Sequence, residues 1–196
     1  MPRINNHFRP ILSFKSAFLR AALVLASTLP SLAADIQYTD SGNDHLWSNT
    51  DNWQGSIAPN DSSTGAANWH DGTQLEISSG THAICNGFML GMYGSTNSAV
   101  VAGGTLACNW LDIGRSNHKG GNGTLTIISG SATVNGLLSI PNQDSSNTYP
   151  ANIGQGQLNI SGGSISANSI QIGNGQNGAG GGIGSISITG GSLIIN

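Results

Sequence analysis

The chain has 196 residues, of which only 8% are charged and 29 are glycine, a composition far from that of an ordinary helical enzyme. Six lysines and arginines face nine carboxylates, and four of the six lie between Met1 and Arg20, so no basic face remains for nucleic acid. The hydrophobic content of 37% argues against an acidic disordered chain, and we expect a fold made mostly of strands.

The segment 1–33 has the layout of a secretory signal peptide. Basic residues extend to Arg20, an apolar stretch covers 21–29, and 31–33 reads Ser-Leu-Ala, a small-x-small cleavage site. A membrane span needs about 20 apolar residues, and Pro30 ends this run early. We therefore expect cleavage after Ala33, a secreted or cell-surface product and no transmembrane segment in the mature chain.

The segment 34–80 is rich in aromatic residues and is expected to cap the first repeat. Trp47, Trp53 and Trp69 lie within it. The alternative is a platform on which sugars stack, because exposed aromatic rings offer flat apolar faces. Capping is the preferred interpretation, since the open end of a repeat array must be covered.

A repeat covers 81–196. Four segments share the ending Gly-(Ser/Thr)-x-x-x-Asn, at 104–109, 130–135, 163–168 and 191–196. Apolar residues stand five and three positions before each glycine and alternate with polar or small ones, which is the period of a half-buried strand. A second apolar pair follows the asparagine in most units, but in the third copy Gly136 inserts one residue and Pro141 replaces a glycine.

The interval between successive asparagines is shortest from Asn86 to Asn109 and longest from Asn135 to Asn168, so unit length varies while the inward positions keep their spacing. This pattern predicts an all-β fold, a right-handed parallel β-helix (solenoid) of about four to five coils with an N-terminal capping segment. An antiparallel sandwich or propeller is the rival, but hairpin pairing requires no asparagine at a fixed place in every unit. The pattern runs to Asn196 without a polar closing segment, so we expect the repeats to be incomplete there and the last coil to be open.

Five asparagines occupy equivalent places in the units: Asn86, Asn109, Asn135, Asn168 and Asn196. We interpret them as a buried ladder at one corner, because asparagine tolerates left-handed backbone angles and its amide can donate to and accept from neighbouring coils. Ordinary turn asparagines are the alternative. Neither interpretation is catalytic.

Cys85 and Cys108 each precede one of these asparagines, so they are expected at equivalent inward positions of adjacent coils. A coil spacing of about 4.8 Å falls within the Cα separation of about 4.4–6.8 Å that a disulfide requires. Export would permit oxidation. A disulfide and two small buried thiols both remain open.

Residues 113–130 and 153–163, with their Ile-Gly and Gly-x-Leu-x-Ile elements, resemble the repeat of bacterial exported proteins associated with type V autotransporters and the PEP-CTERM sorting system. The Trp-Ser-Asn-Thr-Asp-Asn-Trp segment at 47–53, followed by Pro59 and Asp61, is similar to the segment that often precedes such repeats. The resemblance covers roughly 40–196. It implies a secreted or surface-displayed β-helical passenger without assigned catalytic residues.

Parallel β-helices also carry polysaccharide lyases and hydrolases, so we sought reactive side chains. The candidate cluster is Trp110, Asp112, Arg115, His118 and Lys119. In a lyase a basic side chain would abstract a proton, and a cation would stabilise the resulting carboxylate charge. The competing interpretation is a solvated loop. Trp110, expected to point outward from its strand, is the best candidate for stacking on a glycan.

No second carboxylate is expected beside Asp112, because Ser139 and Gln171 hold that position in the next coils, and paired acids for glycoside hydrolysis are therefore missing. The histidines lack ligand spacing, so we expect no metal site and no cofactor.

These observations favour a non-enzymatic exported structural or adhesive module of a bacterial cell surface or matrix. The alternatives are a polysaccharide-active enzyme, either a lyase or a hydrolase, and a glycan-binding module on the same scaffold, which would use the loops 142–157 and 174–185. Expected partners are surface glycans or a second copy docked through the open C-terminal coil. Nucleic acid is not expected as a partner.

Overall fold

A computed structural model describes residues 35–61, 64–68, 70–115, 120–142, 153–174 and 182–196. The predicted signal peptide lies outside the described residues. So do Trp69, His118, Lys119 and the greater part of the two long loops. No helix within the described ranges is long and apolar enough to cross a membrane.

The described chain is mostly strand, and its helical pieces are two short 3-10 turns at Thr50–Asn52 and Gln54–Ser56. This confirms the all-β prediction. In chain order the strands are β1 Ile36–Gln37, β2 Ala66–Asn68, β3 Gln74–Ser78, β4 His82–Leu90, β5 Thr96–Ile113, β6 Asn122–Asn142, β7 Gln155–Ile160, β8 Ser164–Asn174, β9 Ile183–Ile188 and β10 Ser192–Ile195.

All ten strands belong to one sheet, and every pairing between them is parallel. The antiparallel rival expected hairpin pairing instead. The first half of β5 pairs with β3 and the first half of β6, and its second half pairs with β4 and the second half of β6. Each repeat therefore contributes two registered stretches, because equivalent apolar positions in successive units lie beside one another.

Inward columns form the core. One column runs Leu75, Ala99, Leu125, Leu158 and Ile186 along successive registered pairs. Its members are fully buried except Ile186, which is partly buried at the end of the array. Burying such a side chain is worth about 1.5–3 kcal/mol, so the columns supply most of the stabilising free energy.

The irregular third copy behaves as its sequence predicts. Cys108 pairs with Val134, but Leu111 pairs with Leu138, so β6 has one more residue than β5 between these pairs. The extra residue restores the inward direction, and Leu138 and Ile140 are fully buried. The predicted break in register is confirmed.

The end of the array departs from the predicted inward pattern. Ile172, Ile188 and Ile195 were expected to point inward, yet they are 55%, 50% and 63% exposed. These side chains are exposed because they lie at the end of the array. Among the described strands β9 pairs only with β7, and β10 pairs with β8 only as far as Ala167. No described strand covers the far side of these three isoleucines.

Glycine shapes the corners. Gly130 and Gly163 have φ values of 83° and 69°, a left-handed conformation that side chains with a Cβ rarely adopt. A Cβ at Gly130 would also collide with the carbonyl oxygen of Gly104 on the preceding strand, and one at Gly163 with that of Gly130. The corners therefore stack too closely for any side chain.

The asparagines do not have this left-handed conformation, since none of the five predicted ladder residues has positive φ. Asn86 is partly buried, and the other four are exposed. The prediction of a buried ladder is therefore wrong, and the left-handed conformation is not the reason for asparagine at these positions. Glycine takes the left-handed positions at the corners, and four of the five asparagines are exposed to solvent.

The N-terminal segment packs on the first repeat through its aromatic rings. Trp47 and Trp53 are 3% and 2% exposed, and their ring centroids lie 4.7 Å apart in an edge-to-face arrangement. Trp47 also meets Phe88 edge to face at 5.6 Å. This is packing rather than an exposed platform, so neither ring offers a flat face for stacking a sugar.

Asn52 organises the loop that carries these rings. It is fully buried, and its amide donates to the carbonyl of Leu46 and to the carboxylate of Asp44, at 2.9 and 2.6 Å. The carboxylate of Asp44 accepts two further hydrogen bonds, from the backbone N–H of Leu46 and from the side-chain amide of Asn49. Together with the bond from Asn52, they hold the pKa of Asp44 below its ordinary value. These hydrogen bonds connect Asp44, Leu46, Asn49 and Asn52 within the loop.

Candidate functional site

The candidate cluster begins with Trp110, which lies on β5 directly opposite Gly87 on β4. Its indole ring lies over that glycine, and a Cβ at Gly87 would collide with the ring atoms Cε2 and Cζ2. Trp110 is therefore half-buried on the outer side of the sheet. The sequence predicted its outward direction but not this packing.

Trp110 adjoins a small apolar cluster outside the main core. Ala67, Met89 and Met92 are buried there, and Trp110 packs against them. Sequence reasoning missed this cluster, because Met89 lies on β4 and becomes a neighbour of Asp112 only through the register with β5. The sequence does contain a signal for it, in Phe-Met-Leu-Gly-Met at 88–92. Phe88 and Leu90 already supply the inward positions, so the two methionines indicate a second apolar contact.

Arg115 follows the corner at Gly114 and folds back over this cluster. Its guanidinium Nη1 lies 3.4 Å from Asp112 Oδ2 and donates to Met89 Sδ at 3.3 Å. Its Cζ lies 5.9 Å from the centroid of the Trp110 ring, within reach of a cation–π interaction. Three contacts of different kinds thus engage one arginine.

Asp112 is buried, with 5% of its side chain exposed. The interpretation of the cluster as a solvated loop therefore fails for this residue. A buried carboxylate needs a charged partner, and Arg115 supplies one. The repeats carry few charged residues, and this ion pair explains the presence of Asp112 and Arg115 by structure alone.

The neighbours of Asp112 on the next strands are those predicted. Asp112 pairs with Ser139, and Ser139 pairs with Gln171. Ser139 is fully buried, and its hydroxyl has no hydrogen-bond partner in the part of the chain that the structure describes. A paired-carboxylate arrangement for glycoside hydrolysis is absent at these described positions.

Trp110, Asp112, Arg115 and Leu137 line a shallow cleft of about 260 Å³. The structure thus brings together three of the five predicted site residues, and His118 and Lys119 lie outside the described residues. The cleft offers an indole edge and a guanidinium that is already paired. Such a surface can contact a ligand, but the described groups supply no free base for proton abstraction.

Cys85 and Cys108 are registered partners on β4 and β5, and their exposed fractions are 0% and 2%. Both are free thiols in the structure. A hydrogen bond with Cys108, together with burial, raises the pKa of the Cys85 thiol far above its ordinary value. The predicted adjacency is confirmed.

The asparagine ladder is partly formed. Asn109 donates from its side-chain amide to the side chain of Asn86 at 3.0 Å, and Asn135 donates to that of Asn109 at 3.5 Å. Asn168 breaks the pattern, because its amide donates to the backbone carbonyl of Asn135. Asn196 contributes its backbone N–H, which donates to Ala167 O at 3.0 Å.

Among the residues with described positions, no group of three or more His, Cys, Asp or Glu side chains lies close enough to hold a metal ion. Comparisons with protein-family models, with curated proteins and with solved structures give no significant match for this chain.

Proposed function

We propose that this chain is an exported, non-enzymatic structural or adhesive module, folded as a right-handed parallel β-helix of about four to five coils behind an aromatic cap. The repeat resembles that of exported autotransporter- and PEP-CTERM-associated proteins, and the segment 1–33 has the pattern of a signal peptide. The cell surface or its matrix is the proposed location.

The observation that carries the proposal is the parallel register of equivalent residues. Inward positions repeat as apolar side chains along the array, and some outward columns repeat as neutral hydroxyl or amide side chains. One outward column is Ser98, Thr124, Gln157 and Ser185. A stacked array with such a column presents a row of uncharged polar side chains, which suits a spacer or an adhesive shaft.

Two experiments test export and chemistry separately. Expression in a bacterial host followed by N-terminal sequencing of the exported protein should find the mature chain beginning after Ala33. Incubation with pectins, alginates and glycosaminoglycans should release no unsaturated products. Products that vanish in the Asp112→Ala, Lys119→Ala double variant would establish the lyase alternative instead.

A glycan-binding module is the second candidate, because Trp110, Arg115 and Leu137 line a surface cleft. Glycan-array binding that is lost in Trp110→Ala and kept in Ile128→Ala would support it. Ile128 is a suitable control since it is 51% exposed and does not line that cleft.

A further inference from the structure

Asparagine is followed directly by glycine at three places where the structure describes both residues: 86–87, 122–123 and 135–136. Such a pair can react within itself, because the backbone nitrogen of the glycine can attack the side-chain carbonyl carbon of the asparagine and close a five-membered ring. Glycine favours this ring, since it has no Cβ to crowd the attacking nitrogen and its backbone is the most adaptable. The three pairs share this chemistry but are held differently by the fold.

The pair at 122–123 is fixed by strands on both sides. Asn122 and Gly123 each have a registered partner on β5 and another on β7. Gly123 is buried, and a Cβ at this position would collide with the backbone nitrogen of Gly114. The glycine nitrogen therefore cannot approach the asparagine side chain unless the strand opens locally.

Trp110 covers the pair at 86–87. Gly87 pairs with Trp110 on β5, is buried and lies beneath the indole ring. The backbone N–H of Asn86 donates to Thr64 O at 2.7 Å, which fixes the asparagine on the side away from β5. Ring closure at this pair also requires local opening.

The pair at 135–136 lies where pairing lapses on both sides of β6. Register with β5 stops after Val134 and resumes at Leu138, and register with β8 stops after Val134 and resumes at Leu137. Neither Asn135 nor Gly136 therefore has a registered partner on the described strands. This is the bulge made by the extra residue of the third copy, and a bulge disrupts the ladder locally.

The Asn135 side chain is exposed and loosely held. Its amide donates to the side chain of Asn109 at 3.5 Å, which is longer than an ordinary hydrogen bond. The Asn168 amide donates to the backbone carbonyl of Asn135, and this oxygen is not one of the two atoms that must join. A Cβ at Gly136 would collide with the carbonyl oxygen of Asn109, so the fold itself requires glycine after Asn135.

We propose that the pair at 135–136 is a site of spontaneous covalent modification with water as the co-reactant. The backbone nitrogen of Gly136 forms a bond to Asn135 Cγ, the Cγ–Nδ2 bond breaks, and the Gly136 amide proton leaves with Nδ2 as ammonia. Water then opens the ring. Hydrolysis at Cγ gives an aspartate, and hydrolysis at the main-chain carbonyl carbon gives an isoaspartate.

Either product carries one more negative charge than the original chain and is one mass unit heavier. The new carboxylate would lie beside Asn109 in the asparagine ladder, on repeats that carry few charges. The reaction needs no oxidant or further reactant, and it does not depend on export, adhesion or the Trp110 cleft.

The test incubates the whole folded chain at mildly alkaline pH in water labelled with heavy oxygen. Peptide mass spectrometry of timed samples measures conversion at Asn86, Asn122 and Asn135 separately. A parallel incubation in guanidinium gives the rate of each pair without the fold. Asn109 is the matched internal control, because it is an exposed asparagine of the same ladder that precedes Trp110 instead of a glycine.

In the folded chain we expect Asn135 to convert at least about tenfold faster than Asn86, Asn122 and Asn109, with one heavy oxygen gained per event. In guanidinium the three Asn-Gly pairs should react at rates within about threefold of one another, because strand pairing no longer separates them. Asn135→Gln should abolish conversion at this position, since glutamine would have to close a larger ring, and should leave the rates at Asn86 and Asn122 unchanged.

Conversion at Asn86 or Asn122 as fast as at Asn135 in the folded chain would overturn the proposal. So would a rate at Asn135 no higher than that at Asn109. A preference for Asn135 that persists in full in guanidinium would show that the lapse in pairing is not its cause, and would overturn the proposal as well.

Discussion

Cys85 and Cys108 lie side by side in the core as registered partners on β4 and β5, although they belong to successive repeats of the chain. Both thiols are almost fully buried and they are hydrogen-bonded to each other, which raises the pKa of Cys85. Because the thiolate is the reactive form of cysteine, burial and a raised pKa both suppress reaction with external reagents.

The first prediction concerns this protection. In the reduced native protein we expect iodoacetamide to label Cys85 and Cys108 at least about a hundredfold more slowly than in guanidinium-unfolded protein, since the thiols react only after opening. Mass spectrometry of timed samples measures both rates. Rapid labelling of the folded chain would contradict the buried pair.

The same adjacency decides where a disulfide can form. Thiol counting in freshly exported protein, unfolded without reductant, distinguishes the two states that the sequence leaves open. Zero free thiols would establish the bond, and two would exclude it.

Gly87 is predicted to be essential for the position of Trp110. Gly87→Val should destabilise the protein by about 1–3 kcal/mol, because the new side chain would occupy the space of the indole and displace it. Backbone strain is not the reason, since Gly87 does not have a positive φ. Chemical unfolding followed by tryptophan fluorescence measures the loss.

The control for Gly87→Val is the same substitution made in a protein that already carries Trp110→Ala. In this background Gly87→Val should cost much less, and a double-mutant cycle should give a coupling free energy of about 1 kcal/mol or more. Equal costs in both backgrounds would show that the indole does not cause the effect.

The asparagine ladder should contribute far less than the inward columns. Asn109→Ala removes a 3.0 Å bond to Asn86 and a longer one from Asn135, both exposed to solvent, so we expect a loss below about 1 kcal/mol. Leu111→Ala, two positions further along β5 and fully buried, should cost about 2–5 kcal/mol. Similar losses in urea unfolding would mean that the ladder is energetically part of the core.

The inward columns could be predicted from the sequence because their cause is local. Alternation with period two places Leu125 and Ile127 on the same face, and the constant distance to glycine fixes where the chain turns. The structure buries both residues fully. The exposure of Asn109 could not be predicted in this way, since sequence spacing does not say whether a corner faces solvent.

The candidate sites depend on contacts that periodicity does not encode. Trp110 becomes half-buried because its registered partner is a glycine, and Asp112 becomes buried because Arg115 folds back after a turn. Such features need the register and the loop geometry together.

Stability should fall at alkaline pH, in part through Tyr38. Its hydroxyl is buried and shares its one proton between Asp40 Oδ1 at 3.0 Å and Gln74 O at 3.2 Å, and burial together with the carboxylate of Asp40 raises the pKa of Tyr38 well above its usual 10.0. The unfolded chain ionises near pH 10 while the native state keeps the neutral phenol. The contribution of Tyr38 to stability is therefore complete below about pH 10 and is lost as the pH rises further.

Tyr38→Phe should lower the free energy of unfolding at pH 7 by about 0.5–1.5 kcal/mol, because the hydrogen bonds are lost, but its stability should decline less steeply above about pH 10. Urea unfolding between pH 7 and pH 11 measures both effects. Tyr93→Phe is the control, since Tyr93 is 50% exposed. Parallel pH profiles for the Tyr38 variant and the unmodified chain would contradict the assignment.

The last prediction concerns the edge formed by β9 and β10. Ile188 is 50% exposed although it extends a buried column, because no described strand lies beyond β9. Unpaired backbone groups next to exposed apolar side chains favour addition of a further strand. We expect the chain to associate through this edge at high concentration, or to exchange the amide protons of 185–196 much faster than those of the central strands.

Sedimentation and hydrogen exchange measure these two outcomes. Ile188→Lys should reduce association, because a lysine at the edge opposes strand addition, whereas Ile128→Lys, at a position 51% exposed but away from this edge, should leave it unchanged. A monomer at high concentration in which 185–196 are as protected as the central strands would contradict the prediction. In that case some other part of the chain must cover the edge, and the exposure of Ile188 would not describe the protein in solution.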